Sequence, residues 1–351
     1  MTYSDTIRRV WDENLLYSAL VELTYRCNLD CYFCYNDTGL KGVPLALAQY
    51  VRFFEDLRDM GTLDLTLTGG EPLAHPEFFA LGRQAREFGF VVRVKSNAHA
   101  LRGKLARRMK DEVDPFLIEV SLHGASPETH DRQTRVPGSF ARLVGNLREA
   151  RALGLRIKLN SPMTLWNEHE IEAMYALADD LGAHVDFDPL ITRRDNGDAE
   201  PQQIGPSREG IARLFQHQRE RGATLRAKFP SPAMASAKVG IEPPATGREK
   251  HCGAGSSSIT VDPFGNVYPC VQWRRRIGNL HDESITTLWR HSDELTEVRR
   301  LASEVKAAVD GHQAPDMGFC PGSAELETGS PTQIYPAIKV IRDMRKRVPA
   351  G

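Results

Sequence analysis

Six cysteines are spread unevenly along the 351 residues, and their spacing is the first sign of chemistry. Cys27, Cys31 and Cys34 form a C-x3-C-x2-C motif within ELTYRCNLDCYFCYND, whereas Cys252, Cys270 and Cys320 lie in the last hundred residues. Three thiolates as close as the first triplet can hold one metal centre, but they are only three. A structural zinc site is closed by four ligands, and no His lies within the motif to complete a Cys3His set. A cubane iron–sulfur cluster ordinarily takes four Cys, so three leave one iron open to an exogenous ligand. Buried structural Cys, or a zinc site borrowing a remote His, are the alternatives that spacing leaves standing.

The rest of the composition narrows the setting. Forty-five Lys and Arg against 46 Asp and Glu give a net charge of −1, without the basic excess that a general nucleic-acid or membrane-surface binder needs. No apolar run approaches the ~18 residues of a transmembrane helix, and the first residues carry no apolar signal core. Six Cys in so long a chain are too few for a disulfide scaffold, which fits a reducing, cytoplasmic setting.

Elements that could position the triplet are legible around it. Apolar, β-rich runs predict strands at about 18–24, 63–68, 90–95, 117–122, 156–160 and 184–188. Helical periodicity falls between them at 44–60, 76–89, 101–111, 139–153 and 167–182. Pro44 and Pro76 suit first helical turns, and Gly61, Gly89, Gly154 and Gly182 suit helix ends. Such alternation implies a parallel α/β sheet with right-handed crossovers, as a partial barrel or doubly wound, with its ligand at the C-terminal strand ends. Residues 192–208 read as a polar loop, with a short helix near 207–221. The Pro/Gly-rich stretch 226–250 reads as a boundary. Beyond it, SSITVDPFGNVYPCVQW reads as a hairpin, followed by helices near 284–309 and 332–347.

C-x3-C-x2-C with Phe33 before its last Cys, just past the first strand, resembles the radical S-adenosylmethionine (SAM) superfamily. Thr68-Gly69-Gly70-Glu71-Pro72 at the end of the second strand is similar to that family's GGEP element, which holds the SAM amino group. Glycines there would let the backbone approach the ligand. The resemblance also implies SAM contacts from Ser96 and Asn97 after the third strand and from Ser121 in SLHGA. Arg135 in TRVPGSF matches the carboxylate-binding arginine. His75 and His123 lie nearby but are read as structural. The family's fold is a partial (β/α)6 barrel. In it SAM chelates the open iron of a [4Fe–4S] cluster, an electron cleaves it, and a 5′-deoxyadenosyl radical takes a hydrogen atom from the substrate.

The second motif, Cys252-x12-Gly265-x4-Cys270 with Cys320 in GFCPG, resembles the SPASM/twitch extension that holds auxiliary clusters. The later cysteine block of full SPASM domains is missing, so the resemblance implies a truncated α+β extension with one auxiliary [4Fe–4S] cluster on Cys252, Cys270 and Cys320. Its fourth iron is open, bound by substrate, or ligated by a residue such as His251 or His312, and zinc is the rival metal. The implied organisation is a lead-in at 1–15, a core at 16–225 and the extension at 226–351.

Chemistry narrows further by what is missing. All six Cys are assigned to clusters, so none remains to return a hydrogen atom, as peptide epimerases require. Val271 stands where sulfatase-maturating relatives carry a catalytic Asp. Oxidation within a ribosomally made peptide remains, by cross-linking, cyclisation or excision, with Asp186 or Asp188 as a base. With its first strand near residue 18, the chain is expected to rely on a separate leader-recognition protein and on a reducing electron donor. Oxidation or decarboxylation of a small molecule, such as a tetrapyrrole or aminosugar, is the second reading; a non-catalytic Fe–S or zinc module is the third. Anaerobically reconstituted protein is expected to hold about eight irons per chain, as two clusters. Replacing Cys27, Cys31 and Cys34 with Ala should halve that and abolish 5′-deoxyadenosine formation; bound zinc with four irons would refute the second cluster.

Overall fold

The computed structural model describes residues 3–228, 250–311 and 318–347 of the chain. Six strands succeed one another: β1 (Ser18–Glu22), β2 (Asp64–Thr68), β3 (Val91–Ser96), β4 (Leu117–Ser121), β5 (Ile157–Pro162) and β6 (His184–Asp188). Each pairs in parallel with the next, and β6 is left as an edge, so the barrel stays open on one side. After an N-terminal α1 (Tyr3–Asp12), the crossovers carry α2 (Leu47–Asp59), α3 (Phe78–Glu87), α4 (Gly103–Arg108), α5 (Pro127–Thr134), α6 (Ser139–Ala152) and α7 (Ile171–Asp180); α8 (Arg208–Lys228) follows β6.

Each strand lies within two residues of its sequence expectation, because alternating core and cavity positions are plain in the pattern. Gly61, Gly89, Gly154 and Gly182 follow their helices with positive φ, as expected. The prolines differ: Pro44 and Pro76 precede the helix N-caps, Ala46 and Glu77, instead of occupying first turns. Missed by periodicity, α5 is short and mostly polar, but Ser126 caps its Thr129 amide and Pro127 starts it.

The two faces of this parallel sheet differ. Val94, Ile118, Val120 and Leu159 are buried against helices, packing with Phe54, Leu81, Leu143 and Met174 in one core. The opposite face carries Arg93, Lys95, Glu119, Lys158, Asn160 and Asp186. Arg93 pairs with Asp64 at 2.7 Å, Lys158 with Asp186 at 2.5 Å, and Asn160 Nδ2 donates to Glu119 at 2.9 Å. A parallel sheet is usually apolar on both faces. Here the polar residues face a cavity.

The C-terminal part joins the same sheet. β7 (Ser258–Val261) pairs in parallel with β1, Ser18 to Ser258 through Val21 to Val261, and carries β8 (Asn266–Tyr268) and β9 (Gly278–Asn279) antiparallel beyond it. The hairpin is thus as expected, and its first strand joins the core sheet, which with β8 and β9 has nine strands. The single helix expected at 284–309 is two, α9 (Ile285–His291) and α10 (Asp293–Gly311), broken at Ser292; α11 (Pro321–Thr328) and α12 (Pro336–Arg347) follow. Trp289 Nε1 donates to the Asn14 carbonyl at 2.9 Å across the seam. Most of the stretch read as a boundary, 229–249, lies outside the described residues. Because β1 and β7 share one ladder, Ile259→Ala is expected to lower a single calorimetric unfolding transition, by about 2–5 kcal/mol. A second transition, shifting alone, would show that the two parts unfold independently.

Candidate functional site

Backbone contacts fix the first cysteine loop at the C-terminal end of β1. The Asp30 and Tyr32 amides donate to the Thr134 and Gln133 carbonyls at the end of α5, and Cys34 N to Cys31 O at 3.1 Å. Gly70 N and Glu71 N donate to the carbonyls of Thr24 and Arg26, at 2.6 and 2.9 Å. A Cβ on Gly69, whose φ is +139°, would stand 2.3 Å from Thr24 O, and one on Gly70 would stand 2.6 Å from Arg26 O. The glycines are therefore needed where the β2 exit packs on the segment leading into Cys27. This packing requirement stands beside the expected approach of the backbone to a ligand.

Glu71 is almost fully buried, and its carboxylate accepts from Ser96 Oγ at 2.8 Å, Asn97 N at 2.8 Å and Leu73 N at 3.0 Å. Burial raises its pKa against the pull of those donors. Glu71 and Ser96 thus occupy each other and brace the β2 and β3 ends, with Pro72 starting a turn of 3-10 helix. Asn97 is left facing the loop: its Nδ2 lies 3.6 Å from Cys27 Sγ and 2.7 Å from Asn28 Oδ1. Arg135, in left-handed conformation at the end of α5, lies beside the loop with Asp30 at 3.4 Å and over the Tyr32 ring at 4.7 Å.

Both cysteine triplets come together. Burial raises the pKa of Cys31, with Cys34 and Cys27 adding to the rise, while amide donors from Leu29 and Asn36 oppose it at Cys27 and Cys34. In the second triplet, burial and neighbouring Cys320 push Cys252 up to about 11 and Cys270 up to about 12. Cys320 caps α11, accepting from Ser323 N at 3.5 Å, and a helix N-terminus favours an anionic sulfur. Among the described residues, no three His, Cys, Asp or Glu side chains stand close enough to share one metal ion. The thiols of each triplet are near enough to raise one another's pKa, and such a group can be shared by one iron–sulfur cluster. Amide N–H groups aimed at the sulfurs fit thiolate ligands in the same way. His251 Nε2 donates to Phe319 O at 2.7 Å, which commits that nitrogen; His312 lies outside the described residues.

Between the triplets lies a cavity of about 1000 Å³. Phe33 and Tyr35 of the first loop, Cys320 and Gln272 of the C-terminal part, and Ser121, Glu119, Asn160, Asp186 and Asp188 of the strands all line it. His123 lines it as well, packed at 4.7 Å against the Phe33 ring, so its reading as structural is incomplete. His75 has the structural role expected, accepting from Glu77 N at 3.2 Å. Val271 instead borders a smaller cavity of about 290 Å³, shared with Cys270.

One charged network was not legible in sequence. Glu22, fully buried, takes Arg274 in two bonds of 2.8 and 3.0 Å, and Arg274 also holds Asp195 at 3.0 Å. Burial lowers the Arg274 pKa, but Glu22 and Asp195 outweigh it and raise it. Burial likewise pushes Asp195 up to about 6, against Arg274. Asp195 N donates to Tyr35 O at 2.8 Å, so the 192–199 segment is tied onto the first cysteine loop. Glu22 interrupts an otherwise apolar strand, which was its only signal.

A family model described as the radical SAM superfamily matches residues 21–178, and one for an iron–sulfur cluster-binding domain, SPASM, matches 252–320. Residues 21–178 form a radical SAM superfamily domain, followed by a SPASM domain. The chain's cofactors are a [4Fe–4S] cluster with SAM and, in the SPASM domain, an auxiliary iron–sulfur cluster. The chain is 28% identical to the AdoMet-dependent heme synthase of Methanosarcina barkeri, over 79% of this chain and 83% of that protein. To the PqqA peptide cyclase of Ruegeria pomeroyi it is 27% identical, over 94% and 88%. The mycofactocin maturase MftC of Mycobacterium ulcerans is 28% identical, over 88% and 84%. The fold also matches Streptococcus suis SuiB bound to S-adenosylmethionine, with TM-score 0.70, 13% identity and coverage of 93% and 77%. Among the described residues, no helix is long and apolar enough to cross a membrane. Gly70→Ala would force the Arg26 backbone away, and is expected to weaken SAM binding at least tenfold while the auxiliary cluster's spectrum stays unchanged. Wild-type affinity, by calorimetry, would remove the GGEP element from the SAM site.

Proposed function

We propose that this chain is a radical SAM enzyme that oxidatively modifies a ribosomally synthesised peptide, by cross-linking, cyclising or excising within it. The observation that carries the reading is the cavity between the two cysteine triplets, large enough for several side chains and lined by residues next to both. A relative named as a peptide cyclase supports the substrate class, and another is named as a mycofactocin maturase.

In this reading Cys27, Cys31 and Cys34 hold the SAM-binding cluster, and Cys252, Cys270 and Cys320 the auxiliary one. Bound there, the cluster and SAM supply a carbon radical able to take a hydrogen atom from the substrate. The protein's own residues do the rest. Asn97, Ser121 and Arg135 present polar groups to SAM, while Glu71, Ser96, Gly69, Gly70 and Pro72 hold the backbone that carries them. Phe33, Tyr35 and His123 wall the cavity beside the radical and exclude water. Residues 16–225 form the catalytic core and 226–351 the auxiliary part. A precursor peptide, a separate leader-recognition protein and a reducing electron donor complete the system, in the cytoplasm.

One observation favours the second reading, a tetrapyrrole. Arg342, Arg345 and Lys346 of α12 line the cavity and suit a substrate's carboxylates, and one relative is named a heme synthase. Anaerobic holoenzyme with dithionite and SAM is offered, in parallel, any peptide encoded by a short reading frame found beside the gene and an iron coproporphyrin. Loss of hydrogens from the peptide, matched by 5′-deoxyadenosine, is the expected result by mass spectrometry. Conversion of the porphyrin alone would establish the second reading.

A further inference from the structure

Three acidic side chains line the large cavity, and they differ in what holds them. Glu119 accepts from Asn160 Nδ2 at 2.9 Å and has Lys95 at 4.0 Å. Asp186 is clamped between Lys158 at 2.5 Å and His184 at 2.7 Å, and these partners hold its pKa low against burial. Asp188, two residues further along the same strand, receives only the Leu190 amide, at 2.9 Å on Oδ1. Among the described residues no cation lies within ion-pair distance of it, and its Oδ2 has no protein donor.

Position makes this difference chemical. Asp188 ends β6, at the rim where the barrel is open, and its side chain opens onto the cavity shared by Phe33, Tyr35 and Cys320. Its backbone is fixed, since Asp188 O accepts from Met163 N at 2.8 Å. We propose that Asp188 is the proton acceptor of this site, taking the proton that a substrate N–H, O–H or C–H sheds as it is oxidised. The inference rests on the functional reading above. It also completes the balance for that reading. A substrate that loses two hydrogens gives one as an atom to the SAM-derived radical, one electron to an oxidised iron–sulfur cluster, and one proton to a base. Neither triplet supplies that base.

The surroundings suit the role. Desolvation within the cavity pushes the Asp188 carboxyl up, opposed by the Leu190 amide, while the side chain itself stays exposed to the cavity. A base whose pKa moves toward the working pH both ionises and binds its proton usefully. The charged groups around it are the clamped Asp186 and Lys158 on the sheet, the Tyr335 phenol, and Arg342, Arg345 and Lys346 from α12 across the cavity. Asp186, whose pKa its Lys158 and His184 contacts hold low, is the poorer acceptor.

Two measurements test the proposal. In the chain as isolated, a carbodiimide with a labelled amine is expected to modify Asp188 with a pH midpoint above the ordinary carboxylate range. Mass spectrometry of the segment carrying Asp186 and Asp188 reads this, with Asp188→Asn as the blank. A midpoint within the ordinary range, or an unreactive Asp188, overturns the proposal and leaves the radical SAM reading intact. In holoenzyme given any peptide found encoded beside the gene, product per 5′-deoxyadenosine should fall at least tenfold in Asp188→Asn. The rise of wild-type rate with pH through the raised pKa should also vanish. Wild-type yield and pH profile in a folded Asp188→Asn variant overturn the proposal. A wild-type enzyme that forms no 5′-deoxyadenosine overturns the functional reading, and this inference with it.

Discussion

Glu22 sits wholly buried at the end of β1, five residues before the first cysteine, and a carboxylate in that position must be met by a cation. Arg274 meets it in two bonds, arriving from the C-terminal part four residues after Cys270. The same guanidinium holds Asp195, whose amide is bonded to Tyr35 beside Cys34. One buried ion cluster therefore joins β1, the auxiliary hairpin and the segment after β6. Removing one partner of such a cluster leaves an uncompensated charge, which costs about 3–5 kcal/mol. The relative placement of the two cysteine sites depends on that cost.

The continuous sheet works to the same end. β7 is aligned on β1, and Cys270 beyond it lines the smaller cavity, while Cys320, which caps α11, lines the large one. One cavity lined by Phe33 and Tyr35 of the first cysteine loop and by Cys320 of the second triplet has room for a single substrate near both. That arrangement suits chemistry in which a hydrogen atom leaves toward one centre and an electron toward the other. The charged inner face of the sheet is tolerated because its members pair across strands, and Asp188 stands at the point where the pairing stops.

The core's rhythm was readable because it rests on local rules. Alternation of apolar residues set the six strands, glycines with positive φ closed four helices, and the cysteine spacing with GGEP marked the first site. Short or polar helices escaped: α5 is mostly polar and is seen only through its Ser126 cap and Pro127, and Ser292 breaks what periodicity joined.

Sequence by itself determined the family, the six-strand order and the first triplet, since chemistry, spacing and periodicity lie within short stretches of chain. Only the tertiary structure decided the rest. It turned Gly69 and Gly70 toward the Thr24–Arg26 backbone, gave Glu71 to Ser96 and Asn97, and drew His123 onto Phe33. It also separated Asp186 from Asp188, which sequence treated alike. The physical reason is that a buried polar group is defined by its partners. Arg274 reaches Glu22 from the far end of the chain and Lys158 reaches Asp186 from the neighbouring strand, at separations that no local pattern encodes.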